Sequence, residues 1–257
     1  MFSFLFGKTE FNKYGWKRDL PDQRDFKYTA IKRSLPKQVD LRPILPPVRD
    51  QKDLGACTSF ATASAFEYDL HTQKVADFTP APLYIYYNTR ILEGTVKFDS
   101  GATIRNSIKS IAKYGACRES YWRYLVSRAF KKPSKQAYTH GYKHKAIKYY
   151  AVEQTLGSIC SALAAGKPIV FGISVYSSFE EVEPTATGVI PMPKVTDDFL
   201  GGHAILICGF NSEKRLFTFR NSWGKEWGDN GYGYLPYEYV LNPDLAGDFW
   251  VVDTVVG

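Results

Sequence analysis

Between residues 57 and 73 the apolar positions Phe60, Ala63, Phe66 and Leu70 fall three, three and four apart, the spacing of one buried helix face. Gly55 and Ala56 let the chain turn tightly into that helix. A second helix is predicted from near Thr79, with Thr79 as its cap and Pro80 in its first turn. A third, over about residues 103–114, buries Ile104, Ile108 and Ile111, and Gly115 is placed to close it. A fourth spans about residues 154–165 and stops at Gly166 and Pro168. The pattern then changes. "PIVFGISVY" (168–176), "GGHAILICGF" (201–210) and "RLFTFRNSW" (215–223) are short, β-branched or aromatic, and bounded by Gly, Asn and Ser. "YGYLPY" and "DFWVVDTVV" continue in that style. Helices first and strands later predict an α+β protein, a helical lobe against a β-rich lobe, with a cleft between them as the natural place for a site. Residues 1–36 have no sustained period and carry turn-forming Pro and Asp, so they read as an extended N-terminal arm.

The 257 residues suffice for one large domain or two fused lobes with a real core. A net charge of +7 comes partly from the run 131–148, "KKPSKQAYTHGYKHKAIK". No nucleic-acid motif accompanies it, so it reads as a solvated connector between the two halves, and no nucleic-acid partner is expected. No segment approaches the ~20 apolar residues of a membrane span. The opening "MFSFLFGKTE" lacks a basic start and has a shorter apolar run than the ~7–15 residues of a secretory signal. Four cysteines do not make a disulfide scaffold, and Cys160 and Cys208 sit inside apolar patterns as core thiols. A cytoplasmic or otherwise reducing setting and a monomer are the expectations.

Four side chains change this picture. Cys57 stands at a predicted helix N-terminus, where unpaired N–H groups and the dipole favour a thiolate. Taken alone it is as readily a structural thiol. His203 follows Gly201 and Gly202 at the start of a strand, where a ring can face a cleft or the core. Asn221 ends the strand "RLFTFRNSW", and its amide can hold an imidazole while Trp223 shields the bond. Gln51, six residues before Cys57, can donate to an oxyanion together with the Cys57 N–H. His140 and His144 have helical i, i+4 spacing, but no second pair accompanies them, so no metal and no cofactor are expected.

Together, "QKDLGACTSFA", "GGHAILICGF" and "RNSWGKEWGDNGYGY" resemble the papain family of cysteine peptidases, whose His and Asn lie about 130–150 residues after the Cys. His203 is 146 residues after Cys57. "LPKQVDLRPILPPVRDQ" resembles the family's mature start and "DSGATIRNSIKSIAKYG" its glycine-bearing substrate strand. The likeness covers about residues 35–250. It implies the papain-like two-lobe fold, with a helical lobe roughly over 37–140 and a β-barrel-like lobe roughly over 145–257. It implies Cys57 as nucleophile, His203 as base and then acid, Asn221 as orienter and Gln51 as oxyanion donor. Gly55, Gly101, Ala102, Thr103, Ile104, Gly201, Gly202 and Trp223 would line the path of an extended peptide substrate. Three departures stand out. Leu54 and Asp99 occupy the two ends of a disulfide usual in the family. Thr58 replaces a Trp after the nucleophile, as in bacterial and viral members. Gly202 replaces an Asp before the His. The implied activity is endopeptidase hydrolysis through an acyl-enzyme. An acyl transferase, a deubiquitinase-like isopeptidase and a silent peptide-binding module use or retain the same groups. The arm, around residues 16–28, is expected either to cover part of the cleft as a short pro-segment or merely to pack on a lobe.

Overall fold

A computed structural model describes residues 12–30 and 34–256. The apolar opening of the chain, on which the absence of an export signal was read, lies outside the described residues. In chain order the elements are β1 (Trp16–Lys17), β2 (Gln38–Asp40), α1 (Cys57–Thr72), α2 (Pro82–Glu93), β3 (Ala102–Thr103), α3 (Ile104–Lys113), α4 (Lys135–Gly141) and β4 (Lys145–Ala151). There follow α5 (Leu156–Ala164), β5 (Ile169–Tyr176), α6 (Val182–Thr187), β6 (Phe199–Asn211), β7 (Leu216–Arg220), β8 (Tyr232–Pro236), α7 (Tyr237–Leu241) and β9 (Ala246–Val256). The large sheet runs β4-β9-β5-β6-β7-β8, antiparallel throughout, with β2 added to β6. In the arm, β1 pairs parallel to β3, Trp16 opposite Ala102 and Lys17 opposite Thr103.

The first helix differs from its expected one-faced form. Every residue from Cys57 to Leu70 is buried. α1 lies between α2 and α3 on one side and β6 and β9 on the other, so no face is left for water. Its Ala, Ser and Thr residues permit that close approach. The one carboxylate facing the helical lobe, Glu67, accepts from Thr79 Oγ1 at 2.9 Å. That bond also explains why α2 starts later than the sequence suggests. Thr79 is turned toward Glu67, Pro80 gives its carbonyl to Arg49 Nη1 at 2.9 Å, and Pro82 takes the first helical position instead. The ends of α3 and α5 follow the sequence more closely. Thr103 Oγ1 accepts from the Asn106 N–H and Thr155 Oγ1 from the Ser158 N–H.

The basic run is not a connector. Its middle forms α4 and its end forms β4, which pairs with β9 from Lys145↔Val256 to Ala151↔Trp250. Two register shifts, around Lys148, break the period-2 alternation that would have marked β4 as a strand. Two apolar clusters result. One gathers α1, α2 and α3, and the other gathers α5 and the inner faces of β5, β6 and β7. Trp16 of the arm belongs to the first cluster.

Gly115, with φ +74°, turns the chain out of α3, and a Cβ there would lie 1.7 Å from the Gly141 carbonyl at the end of α4. Gly115→Ala combines left-handed strain with a backbone clash. It should lower unfolding stability by at least about 2 kcal/mol, read as a fall in the urea midpoint at unchanged slope.

Candidate active site

Cys57 is the first residue of α1, and no side chain caps that helix. The thiol instead lies against the backbone N–H groups of Ala204, Gly15, Thr58 and Cys57 itself. These favour a thiolate. Complete burial outweighs them and pushes the thiol up to about 11. The turn before Cys57 is held by a carboxylate. Asp99 accepts the Gly55 N–H at 3.0 and 3.2 Å and the Tyr86 hydroxyl at 2.5 Å. Asp99 therefore reaches the chain beside Leu54, where the resemblance would have placed a disulfide. Among the described residues all four cysteines are free and buried.

His203 is the fifth residue of β6, well inside the strand rather than at its opening, and it pairs with Ile173. Its ring is buried beneath Trp223, which stacks on it at 4.7 Å with a 27° tilt. Nε2 meets Asn221 Oδ1 at 2.8 Å. That oxygen also accepts the Ser222 N–H at 2.8 Å, so it is the acceptor and Nε2 carries the proton. Nδ1 is left with its lone pair and no hydrogen-bond partner. Burial pulls the imidazole down to about 4, against the Asn221 hydrogen bond, which works the other way. Burial thus disfavours the charged form of both thiol and imidazole in this closed state.

Gln51 is fixed on three sides. Its N–H donates to Ser222 O at 2.8 Å, its Oε1 accepts from Ser222 Oγ at 2.6 Å, and its carbonyl accepts from Tyr124 Oη at 2.6 Å. The amide nitrogen then points along the start of α1. It donates to Leu54 O and to Lys13 O, both at 2.9 Å. A carbonyl of the arm thus occupies the spot where an oxyanion donor would act.

The next arm residues follow the expected substrate path. Gly15 O accepts the Ala102 N–H at 2.7 Å. A Cβ on Gly15 would stand 2.0 Å from Gly55 O, and one on Gly101 would stand 2.2 Å from Gly15 O. Trp16 enters the apolar cluster that also holds Ile104. It fits closely there. A Cβ on Gly172 would stand 1.9 Å from the indole, and one on Gly202 would stand 2.4 Å from Trp16 O. Gly201 lies instead against Tyr14. The indole N–H donates to Asp248 Oδ2 at 2.9 Å. Gly172, Asp248 and the arm residues Lys13, Tyr14 and Gly15 were absent from the sequence reading of the site, which began the covering part of the arm at Trp16. His140 and His144 pack together at 4.5 Å beside Phe78 and Tyr121. Among the described residues no three His, Cys, Asp or Glu side chains group as metal ligands.

Comparison with known proteins agrees with this geometry. A family model described as papain family cysteine protease matches residues 35–240. The chain is 38% identical to an uncharacterized peptidase C1-like protein of Acanthamoeba polyphaga mimivirus, over 94% of this chain and 87% of that one. It is 26% identical to Peptidase 1 of Dermatophagoides pteronyssinus, over 84% of this chain and 64% of that one. Among solved structures it matches xylellain, a cysteine protease from Xylella fastidiosa, with TM-score 0.90 and 40% identity, covering 96% of this chain and 98% of the other. Digestive procathepsin L 3 of Tenebrio molitor shares the fold at TM-score 0.71 and 20% identity, covering 94% and 75%. The chain belongs to the papain family of cysteine proteases. It is a cysteine peptidase with the α+β papain-like fold, and the transferase, isopeptidase and silent-module alternatives are not favoured.

The arm is latched beyond Trp16. Asp19 N donates to Asp248 Oδ2 at 2.7 Å, and Asp19 Oδ2 accepts from the Arg105 N–H and from Trp250 Nε1, both at 3.2 Å. Arg105 also pairs with Asp25 at 2.7 Å. Burial, helped by the Asp248 carboxyl and opposed by Arg105 and the Trp250 indole, pushes Asp19 up to about 7. Asp248 is raised by burial too. A carboxyl raised on docking binds a proton as the arm docks. Its contribution is complete below the ordinary carboxylate range and is lost as pH rises through about 7. Amide exchange over the arm, corrected for intrinsic rates, should therefore lose protection between pH 5 and pH 8. Asp19→Asn should flatten much of that loss, leaving the part that Asp248 carries.

Proposed function

We propose that this chain is a cysteine endopeptidase kept latent by its own arm, with Cys57 as nucleophile, His203 as base and then acid, Asn221 as orienter and Gln51 as oxyanion donor. The observation that carries the reading is the Lys13 carbonyl on Gln51 Nε2, with Gly15 O on the Ala102 N–H beside it. The arm makes the contacts a substrate backbone would make and excludes water from both reactive groups. Its departure rehydrates Cys57 and His203, which removes the main cause of both displaced pKa values. The thiol proton then passes to the free Nδ1 lone pair, giving a thiolate and an imidazolium that stabilise each other.

The thiolate attacks the peptide carbonyl, and the oxyanion is held by Gln51 Nε2 and the Cys57 N–H. Nδ1–H protonates the leaving amine, which departs and leaves a thioester on Cys57. His203 then takes a proton from water, and the hydroxide so formed releases the acid. Asn221 keeps the ring in the tautomer that presents Nδ1, and the Trp223 stack keeps water from that bond. Protein or peptide substrates, one chain working alone and a reducing setting complete the reading. The last is supported by the carboxylate at Asp99 and the four free buried thiols.

Gly15→Val tests latency without touching the body of the enzyme, because its side chain would meet the Gly55 backbone. In the full chain it should raise both peptide hydrolysis and Cys57 alkylation by an epoxysuccinyl probe at least about tenfold, and Cys57→Ala should abolish both. Unchanged rates would overturn the latency. In the Gly15→Val background, Gln51→Ala should lower kcat by about 10²–10³, and probe labelling should persist.

A further inference from the structure

On the Trp223 side of the oxyanion site the wall is rigid and ends in one carboxylate. Phe179 is buried among Trp223, Trp227 and Phe219, at ring distances of 5.7, 5.8 and 6.3 Å. It fixes Glu180, the next residue, at the rim beside Trp223. The arm enters over this wall. The residue whose carbonyl reaches Gln51 is Lys13, and its Nζ lies 4.2 Å over the Trp223 ring and pairs with Glu180. The Tyr14 hydroxyl donates to the same carboxylate, and Tyr14 meets Trp223 edge-on at 6.2 Å. Burial alone would raise the Glu180 carboxyl, but the bonds from Lys13 and Tyr14 outweigh it and hold it below its ordinary value.

When the arm leaves, both donors leave with it. What remains is an aromatic face with an unpaired carboxylate at its edge, next to the imidazole that protonates the leaving amine. That is a receptor for a cation on a flexible aliphatic stem: the ring binds the cation's charge, and the carboxylate pairs with it. We propose that Glu180, with Trp223, forms a subsite that selects lysine or arginine as the residue immediately after the scissile bond. This rests on the peptidase reading above and adds a specificity residue to it. The arm passes Glu180 before it reaches Gln51, and a substrate side chain that stands on the Trp223 side of the oxyanion site meets Glu180 where Lys13 does. The pair is about one-third exposed with Lys13 in place, at 33% and 35%. Its selectivity is accordingly modest, about five- to tenfold over leucine.

The test uses the full chain carrying Gly15→Val, so that any effect of Glu180 on arm docking is already removed. Peptides identical except for Lys, Arg, Leu or Glu after the scissile bond are compared by kcat/KM. Lys and Arg should lead Leu by about five- to tenfold, with Glu last. Glu180→Gln should bring all four within about twofold, and Glu180→Lys should move Glu to the front. A Lys-to-Leu ratio near one, or a ratio unchanged by Glu180→Gln, overturns the proposal. Adding Cys57→Ala lets the same peptides be ranked by affinity, using fluorescence anisotropy. A Lys preference lost with Glu180→Gln in that form supports the subsite, and equal affinities overturn it. Absence of turnover in the Gly15→Val chain would count against the peptidase reading alone.

Discussion

Burial of α1 on every side is the constraint on which the rest depends. A helix with water on one face can begin almost anywhere along its groove. One enclosed by α2 and α3 and by the large sheet has its first turn fixed in all three directions. The start of α1 is therefore fixed within the first apolar cluster, and the thiol there faces the Ala204 N–H, one residue from His203. Placement of this thiol beside β6 is a by-product of how two lobes close on one helix. The price is desolvation: burial that deep disfavours the charged form of the thiol.

The arm uses that dependence. It reaches Cys57 and Gln51 by main-chain contacts, with Gly15, Gly101 and Gly202 all positioned where a Cβ would collide. Its side chains do a different task. Trp16, Asp19 and Asp25 hold the arm to β9, α3 and Asp248, away from the chemistry. Main-chain contacts of the arm thus lie at the site and its side-chain contacts lie away from it. On the proposed reading the two can change separately, since docking of the Asp19 carboxyl responds to proton concentration while a carbonyl contact does not.

How much of this was legible in the sequence follows from how local each feature is. Cys57, His203, Asn221 and Gln51 sit in short stretches whose glycines, helix start and flanking aromatics mark them. All four stretches converge here, although His203 lies deep in β6 rather than at its edge. Features made by pairing between distant segments left no such mark. Asp248 and Gly172 line the Trp16 pocket only because β9 and β5 are neighbours in the sheet. Glu180 matters only because Phe179 docks against a tryptophan more than forty residues away. β4 was read as a solvated basic run because its irregular register hides the alternation. The one-faced reading of α1 failed for a related reason: its Ala and Ser residues count as polar or neutral in a periodicity, yet they are what lets a helix be enclosed.

Asp99 carries a final consequence. Where the family resemblance implies a covalent bridge clamping the turn before Cys57, this chain grips the Gly55 amide with a carboxylate that also takes the Tyr86 hydroxyl. A clamp of that kind forms in the same event as the fold and asks nothing of an oxidant or an isomerase. It is indifferent to thiols and peroxide, and it reassembles each time the chain refolds. The turn's geometry is in this way uncoupled from the redox history of the molecule, and among the described residues all four sulfurs are free of any bridge.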